Sequence, residues 1–273
     1  MKKIAVLSTN NNPHYFFYLP IVEWLWNKFG WEVAVFHTDD LAEVTARNLS
    51  STSLHVIPNI DGVRTGTLAQ VVRHFVSDVL PKDAYIMVQD IDLLPLKPYE
   101  PDYTKRTIYG WELTGRSFIP VHYTGMMGSE WYDVMGCTGD LKADMEREMK
   151  ANGRAYGEKW EEYWDADWDI LSHKVLAQKN KFTFVDRGMV QLGKYQTAKG
   201  RIDRASIEVS PDGKYSWGYT LNQSDYIDMH CENNYPASPE KWAMIRDVLI
   251  KVFGEIPLWL DDYVMNHHLK YEK

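Results

Sequence analysis

A chain of 273 residues, 45% apolar and 25% charged, has the makeup of a soluble globular protein with a sizeable core. Its formal charge of −8 argues against a nucleic-acid binder, which carries a basic face, but leaves room for a small anionic ligand held by a cation or by local basic residues. Two cysteines, Cys137 and Cys231, supply neither a disulfide framework nor zinc-ligand spacing, so reduced thiols in a cytosolic setting are expected.

The first stretch, "MKKIAVLSTNNNPHYFF", has an apolar run too short for a signal sequence or a membrane span. It reads as a strand, Lys3 to Ser8, buried on both faces. A polar loop follows, and then a helix from His14 to Phe29, with Phe17, Ile21, Leu25 and Phe29 recurring every four residues and Gly30 as its C-cap. Strands are expected at Trp31 to His37, Leu54 to Ile57 and Ala84 to Val88, with a helix from Thr67 to Leu80 closed by Pro81. Strand and helix alternating in this way predict a parallel α/β sheet.

Beyond Leu96, strands are expected at Thr107 to Trp111, Pro120 to Met127 and Phe182 to Asp186. Helices are expected from about Ser129, from Leu141 to Lys150, from Asp167 to Gln178 and from Pro239 to Phe253. The glycine- and proline-punctuated stretch from Gly188 to Gly218, with Gly193, Gly200, Pro211 and Gly213, reads as loop, and the final "GEIPLWLDDYVMNHHLKYEK" is left without an element. No repeat or low-complexity linker divides the chain, so one domain over residues 1–273 is expected, in two halves of about 1–96 and 97–273. No run of uncharged apolar residues is long enough for a transmembrane segment, and the expectation is a cytoplasmic protein.

One stretch resists this plain reading. "AYIMVQDIDLLPL" runs from a strongly apolar strand into two carboxylates, Asp90 and Asp92, and back into apolar residues. Side chains two apart in extended chain point the same way, roughly 6.5–7 Å apart. Carboxylates so placed can hold a divalent cation against a ligand's phosphates, and ligands of open α/β sheets gather outside the carboxyl ends of the strands. Asp-x-Asp in an exposed turn is the plainer alternative. Arg73, eight residues before Pro81 on an otherwise apolar helix, either covers the core with its stem or reaches a diphosphate with its guanidinium fork.

The order strand, "TNNN" loop, helix, strand, Arg73 ahead of Leu80-Pro81, strand, Asp90-x-Asp92 resembles nucleotide-sugar glycosyltransferases of the GT-A fold. The family-eight group of glycogenin and the lipopolysaccharide galactosyltransferases is nearest. The resemblance implies a mostly parallel central sheet flanked by helices, with a Rossmann-like nucleotide-binding half and an acceptor-binding half. It implies that Asp90 and Asp92 hold Mn²⁺ or Mg²⁺ and the donor diphosphate, and that Arg73 touches the donor. "HYTGMMGSEW" is similar to the family's strand beside the donor sugar, placing Gly125 near substrate, although a bend in a strand explains that glycine equally well. "DWDILS" is similar to the Asp-Gln-Asp helix start that faces the sugar; Asp167 also suits an N-cap, which favours Asp169 for catalysis, and Asp165 adds a third acid. Thr9, Asn10 and Tyr15 fall where the family meets the base, with core packing an equal reading for Tyr15. His230 takes the place of a C-terminal histidine that completes the metal site, and a nitrogen ligand beside carboxylates suits manganese. The family's His-x-x-Gly-x-x-Lys-Pro-Trp is absent, His230 being followed by Cys-Glu-Asn-Asn-Tyr.

The function so implied is metal-dependent transfer of a sugar from a nucleoside-diphosphate donor, UDP-sugar foremost, to a hydroxyl of a glycan or other acceptor, with retention or inversion open. The alternatives are a sugar nucleotidyltransferase and a sugar-nucleotide- or carbohydrate-binding protein without catalysis. The first loop, "STNNNPHYFF", lacks the glycines that a nucleotidyltransferase or a dinucleotide-binding fold uses to cradle phosphates.

Overall fold

A computed structural model describes residues 1–38, 53–114, 118–159, 163–192, 194–218, 226–232 and 238–271. The chain folds as two compact units. One comprises Met1–Asn12, Trp26–Asp90 and Glu100–Asp186; the other comprises Pro13–Leu25, Ile91–Tyr99 and Arg187–Lys273.

In the first unit, strands numbered along the whole chain are β1 (Lys3–Thr9), β2 (Glu32–His37), β3 (Ser53–Val56), β4 (Tyr85–Val88), β6 (Arg106–Tyr109), β7 (Thr124–Met127) and β8 (Phe182–Val185). They form one sheet of order β3-β2-β1-β4-β7-β6-β8. The β3-β2-β1-β4 half and the β6-β8 pair are parallel, while β7 runs antiparallel to both neighbours. A sheet covered on both faces needs apolar residues at successive positions. Ile4 to Leu7 and Tyr85 to Val88 supply them and are almost wholly buried. Trp131 anchors the Gly128–Met135 helix to the sheet by donating its indole N–H to the Ile86 carbonyl at 3.1 Å.

Several elements depart from the periodicity of the sequence. The long N-terminal helix is two pieces, Pro13–Phe16 and Leu19–Lys28, because Tyr18 N–H closes a tight turn on the Tyr15 carbonyl and Pro20 brings no N–H. The helix expected to reach Leu80 runs only over Thr65–Val72. His74 and Phe75 then bond three residues back, to Val71 and Val72, and a 3₁₀ turn follows at Val76–Asp78. Arg73 is therefore the C-cap of that helix and not an interior position.

Gly125 has a local reason to be glycine. A β-carbon there would lie 2.7 Å from Tyr85 Oη and 2.8 Å from its ring, and Tyr85 is fully buried on the neighbouring strand. Gly125→Ala is expected to cost about 1–3 kcal/mol in urea unfolding, and Tyr85→Phe, which removes the nearest atom, to return part of that loss. An unchanged unfolding midpoint in Gly125→Ala would mean the tyrosine ring has room to give.

The second unit holds the stretch read from sequence as loop. Most of it is short strands: β9 (Met189–Leu192), β10 (Tyr195–Ala198), β11 (Arg201–Asp203), β12 (Ile207–Val209) and β13 (Tyr215–Trp217). Pairs β9–β10 and β12–β13 are antiparallel, and Gly188, Gly200 and Gly213 take left-handed φ at turns and strand ends around them. Gly193 lies outside the described residues. Strand β5 (Leu93–Pro95) pairs antiparallel with β14 (Asp228–His230), which pairs parallel with β11, giving a three-stranded sheet of order β11-β14-β5. The expected Pro239–Phe253 helix is present, started by the Ser238 hydroxyl as N-cap and ended at Gly254. The unassigned C-terminal stretch forms a Leu258–Tyr271 helix, whose His267 and Tyr263 rings lie 5.1 and 5.9 Å from Phe17. Among the described residues, no helix is long and apolar enough to cross a membrane.

Candidate functional site

The carboxyl end of β4 delivers Asp90 to a buried guanidinium. Arg73, 4% exposed, turns Nη1 to Asp90 Oδ1 and to the Gln89 carbonyl at 3.3 Å, while Nη2 donates to Asp167 Oδ2 at 2.5 Å. Asp167 lies in the first turn of the Ala166–Leu176 helix and is wholly buried. Burial pushes its carboxyl up, and the Arg73 charge and hydrogen bond oppose that rise. Arg73 is held firmly charged by Asp90 and Asp167 against the effect of its own burial. Two carboxyl groups share this one guanidinium, Asp167 wholly buried and Asp90 27% exposed.

Asp167 and Asp169 do not share this arrangement. Two positions on a helix are about 200° apart, so their side chains leave on nearly opposite sides. Asp167 keeps the face of Ile170 and Leu171, three and four residues on, which are buried; Asp169 Oδ2 instead takes Arg154 Nη1 at 2.6 Å. Asp165 lies 3.7 Å from the same guanidinium. The structure therefore brings Asp167, and not Asp169, to Arg73 and Asp90.

At the carboxyl end of β1, Asn10 Nδ2 donates to Thr65 Oγ1 at 3.1 Å and Asn10 Oδ1 accepts from the Asn12 N–H at 3.1 Å. The Thr9 hydroxyl donates to the Asn10 carbonyl at 3.1 Å, and Thr38 Oγ1 bonds the Thr65 carbonyl at 2.9 Å. These bonds tie the polar loop to the start of the Thr65–Val72 helix.

Asp92 belongs to a second group, built by the three-stranded sheet of the second unit. Register places His230 opposite Leu93 and beside Asp203, so Asp92, one residue before Leu93, reaches the same end. The Cys231 N–H closes this end on the Asp92 carbonyl at 2.9 Å. His230 Nε2 lies 3.7 Å from Asp92 Oδ2, and Nδ1 lies 3.3 Å from Asp203 Oδ2. Arg204 Nη1 donates to Asp92 Oδ2 at 2.7 Å. Burial alone would raise Asp92, but the hydrogen bond and charge of His230, with Arg204, hold it below its ordinary value. Against burial, which lowers it, Asp203 and Asp92 push the His230 imidazole up to about 9. Tyr15 lies in this unit, close to Arg204.

Asp92, His230 and Asp203 are residue types that could hold a divalent cation, which would share Asp92 Oδ2 with Arg204 or displace it. A carboxylate and an imidazole stand side by side, and the other ring nitrogen is turned to a second carboxylate, the relay that orients a metal-ligating histidine. Nitrogen with carboxylate oxygen suits manganese better than magnesium. Coordination takes a neutral imidazole, so a bound cation replaces the proton that Asp203 and Asp92 favour. A different trio, Asp78, Cys137 and Asp144, also has ligand atoms within 4.8 Å of one another. Its carboxylates are engaged in holding the 137–140 loop: Asp144 accepts from Thr138 and Arg147, and Asp78 from the Gly139 N–H at 2.9 Å.

Asp203, Arg204 and His122 were not singled out by sequence reasoning. Asp203 and Arg204 sit in the stretch read as loop, and only the β11–β14 register brings them to His230. His122 lies inside a quoted motif, where the glycine drew attention instead.

No protein-family model matches the sequence, and no curated protein matches it. Solved structures do. The galactosyltransferase LgtC in complex with donor and acceptor sugar analogs superposes with a TM-score of 0.51 at 11% identity, covering 95% of this chain and 99% of that one. An active-site mutant of LgtC gives 0.50 at 9% identity over the same shares. The glycosyltransferase GlyE of Streptococcus pneumoniae TIGR4 is matched over 68% of this chain, at 12% identity and a TM-score of 0.41, and the chain spans only 45% of GlyE's length. With its large, mostly parallel sheet and flanking helices, the chain has the GT-A glycosyltransferase fold.

Proposed function

We propose that this chain is a metal-dependent glycosyltransferase, acting in the cytoplasm, that moves a sugar from a nucleoside-diphosphate donor, UDP-sugar foremost, to a hydroxyl of a glycan or other acceptor. The observation that supports the reading is the Asp92–His230–Asp203 group, two carboxylates around an imidazole, reached from an Asp-x-Asp sequence on a glycosyltransferase fold. Asp92 and His230 would hold Mn²⁺ or Mg²⁺, and the Asp-x-Asp sequence assigns Asp90 to the same role. The cation, when bound, neutralises charge on the departing diphosphate, which is Lewis-acid work.

The remaining roles fall to side chains. Arg73 fixes Asp90 by its guanidinium, with Asp167 as the buried counter-charge that keeps the fork in place. Thr9 and Asn10 shape the loop that receives the base, and Tyr15 offers a ring to it. Asp169, partly exposed beside Arg154, is the carboxylate for chemistry: it takes the acceptor proton in an inverting reaction, or stabilises an oxocarbenium-like state in a retaining one.

The test is release of nucleoside diphosphate from a panel of UDP- and GDP-sugars with Mn²⁺ and mixed hydroxyl acceptors, with the glycoside identified by mass spectrometry. Metal-dependent release with a new glycoside is the expected result. Tight nucleotide-sugar binding without release for any acceptor would favour the binding protein, and a nucleoside-triphosphate product would favour the nucleotidyltransferase.

A further inference from the structure

Asp90 has a second neighbour that the proposed roles leave unused. His122, 6% exposed, sets Nδ1 at 3.9 Å from Asp90 Oδ2, the oxygen that Arg73 does not take. β7 opposes β4 with Thr124 across from Val88, and His122 and Asp90 each lie two residues beyond those strand ends, His122 in a turn. A separation of 3.9 Å exceeds a hydrogen bond, and is the span that one intervening polar atom or a small closing movement completes.

The backbone between His122 and β7 is unusual. Tyr123 has φ of 53°, and among the described residues it is the one non-glycine in the left-handed region. A bulky aromatic there costs free energy and persists only where the surroundings over-determine it. They do so here. Tyr123 is fully buried, and its carbonyl accepts the Tyr109 N–H at 3.1 Å. The Thr124 hydroxyl bonds back to the Pro120 carbonyl at 3.1 Å, and Ser172 Oγ accepts the Ile119 N–H at 2.8 Å. Strands alternate their faces residue by residue, so a left-handed residue just before β7 re-aims the side chain that precedes it. That side chain is His122.

We propose that His122 is a positioning residue of the donor site. It holds Asp90 Oδ2 while Arg73 holds Oδ1, so the carboxylate meets the cation and diphosphate in one orientation, and the strained Tyr123 serves to aim the imidazole. The proposal rests on the transferase reading. Removing a partner that orients a metal-holding carboxylate typically weakens metal affinity about 10- to 100-fold.

The experiment is calorimetric titration of UDP, with and without Mn²⁺, into the whole chain and into His122→Ala and His122→Asn, each checked by thermal unfolding. His122→Ala is expected to weaken Mn²⁺-dependent UDP binding about 10- to 100-fold and to leave metal-free binding unchanged. His122→Asn, whose amide stands near the Nδ1 position, is expected to restore most of the loss. Wild-type affinity in the alanine variant, or an equal loss in both variants, would overturn the positioning role. Absence of Mn²⁺-dependent UDP binding in the unaltered chain would instead contradict the transferase reading, and this proposal would fall with it.

Discussion

Replacing Arg73 with methionine is expected to lower the unfolding free energy by about 3–5 kcal/mol, the usual cost of stripping one partner from a buried ion pair. Methionine keeps most of the apolar stem, so the loss is not one of packing volume. It comes from Asp167, which is wholly buried and would face Asp90 across an uncompensated gap. The control is the double variant Arg73→Met, Asp167→Asn. With the buried charge gone, it is expected to recover a large part of the loss, a coupling that two independent sites would not show. Urea unfolding measures both. A loss under about 1 kcal/mol for Arg73→Met would mean that Asp167 finds water or another cation on its own.

Asp92→Asn is expected to bring UDP affinity in the presence of Mn²⁺ down to its metal-free level, with the chain still folded. An amide keeps the shape and can still accept one hydrogen bond from Arg204, but it gives up the negative charge with which a carboxylate holds a divalent cation. The stability cost should be smaller than for Arg73→Met. The Arg204 side chain is 29% exposed and His230 23%, so water can take up part of what Asp92 gives. Unchanged Mn²⁺ dependence would move the cation elsewhere, and the Asp78–Cys137–Asp144 trio would become the next place to look.

How far the chain could be read in advance follows from the range of the interactions. Buried strands announce themselves by local composition, and β1, β2, β4 and the Pro239–Phe253 helix lie within a residue or so of where periodicity puts them. The Asp90-x-Asp92 pair stood out because charge in an apolar run is costly anywhere. That Asp167 and Asp169 leave the helix on different sides needed only the helical period, since Ile170 and Leu171 mark the buried face that Asp167 shares. The group around His230 is different in kind. Asp92, Asp203 and His230 are distant in sequence and meet through two strand pairings of three residues each, too short to leave a pattern. Glycines in that region mark hairpin turns as readily as loops, and so β9 to β13 were missed. Short strands that pair only at long range carry their information in register, which composition does not record.

The most direct test of the central claim is calorimetric titration of UDP and of GDP into the unaltered chain, each with and without Mn²⁺. The account predicts binding of UDP that depends on Mn²⁺, and that this dependence is lost in Asp92→Asn. Absence of metal-dependent binding of either nucleotide by a folded chain would contradict it.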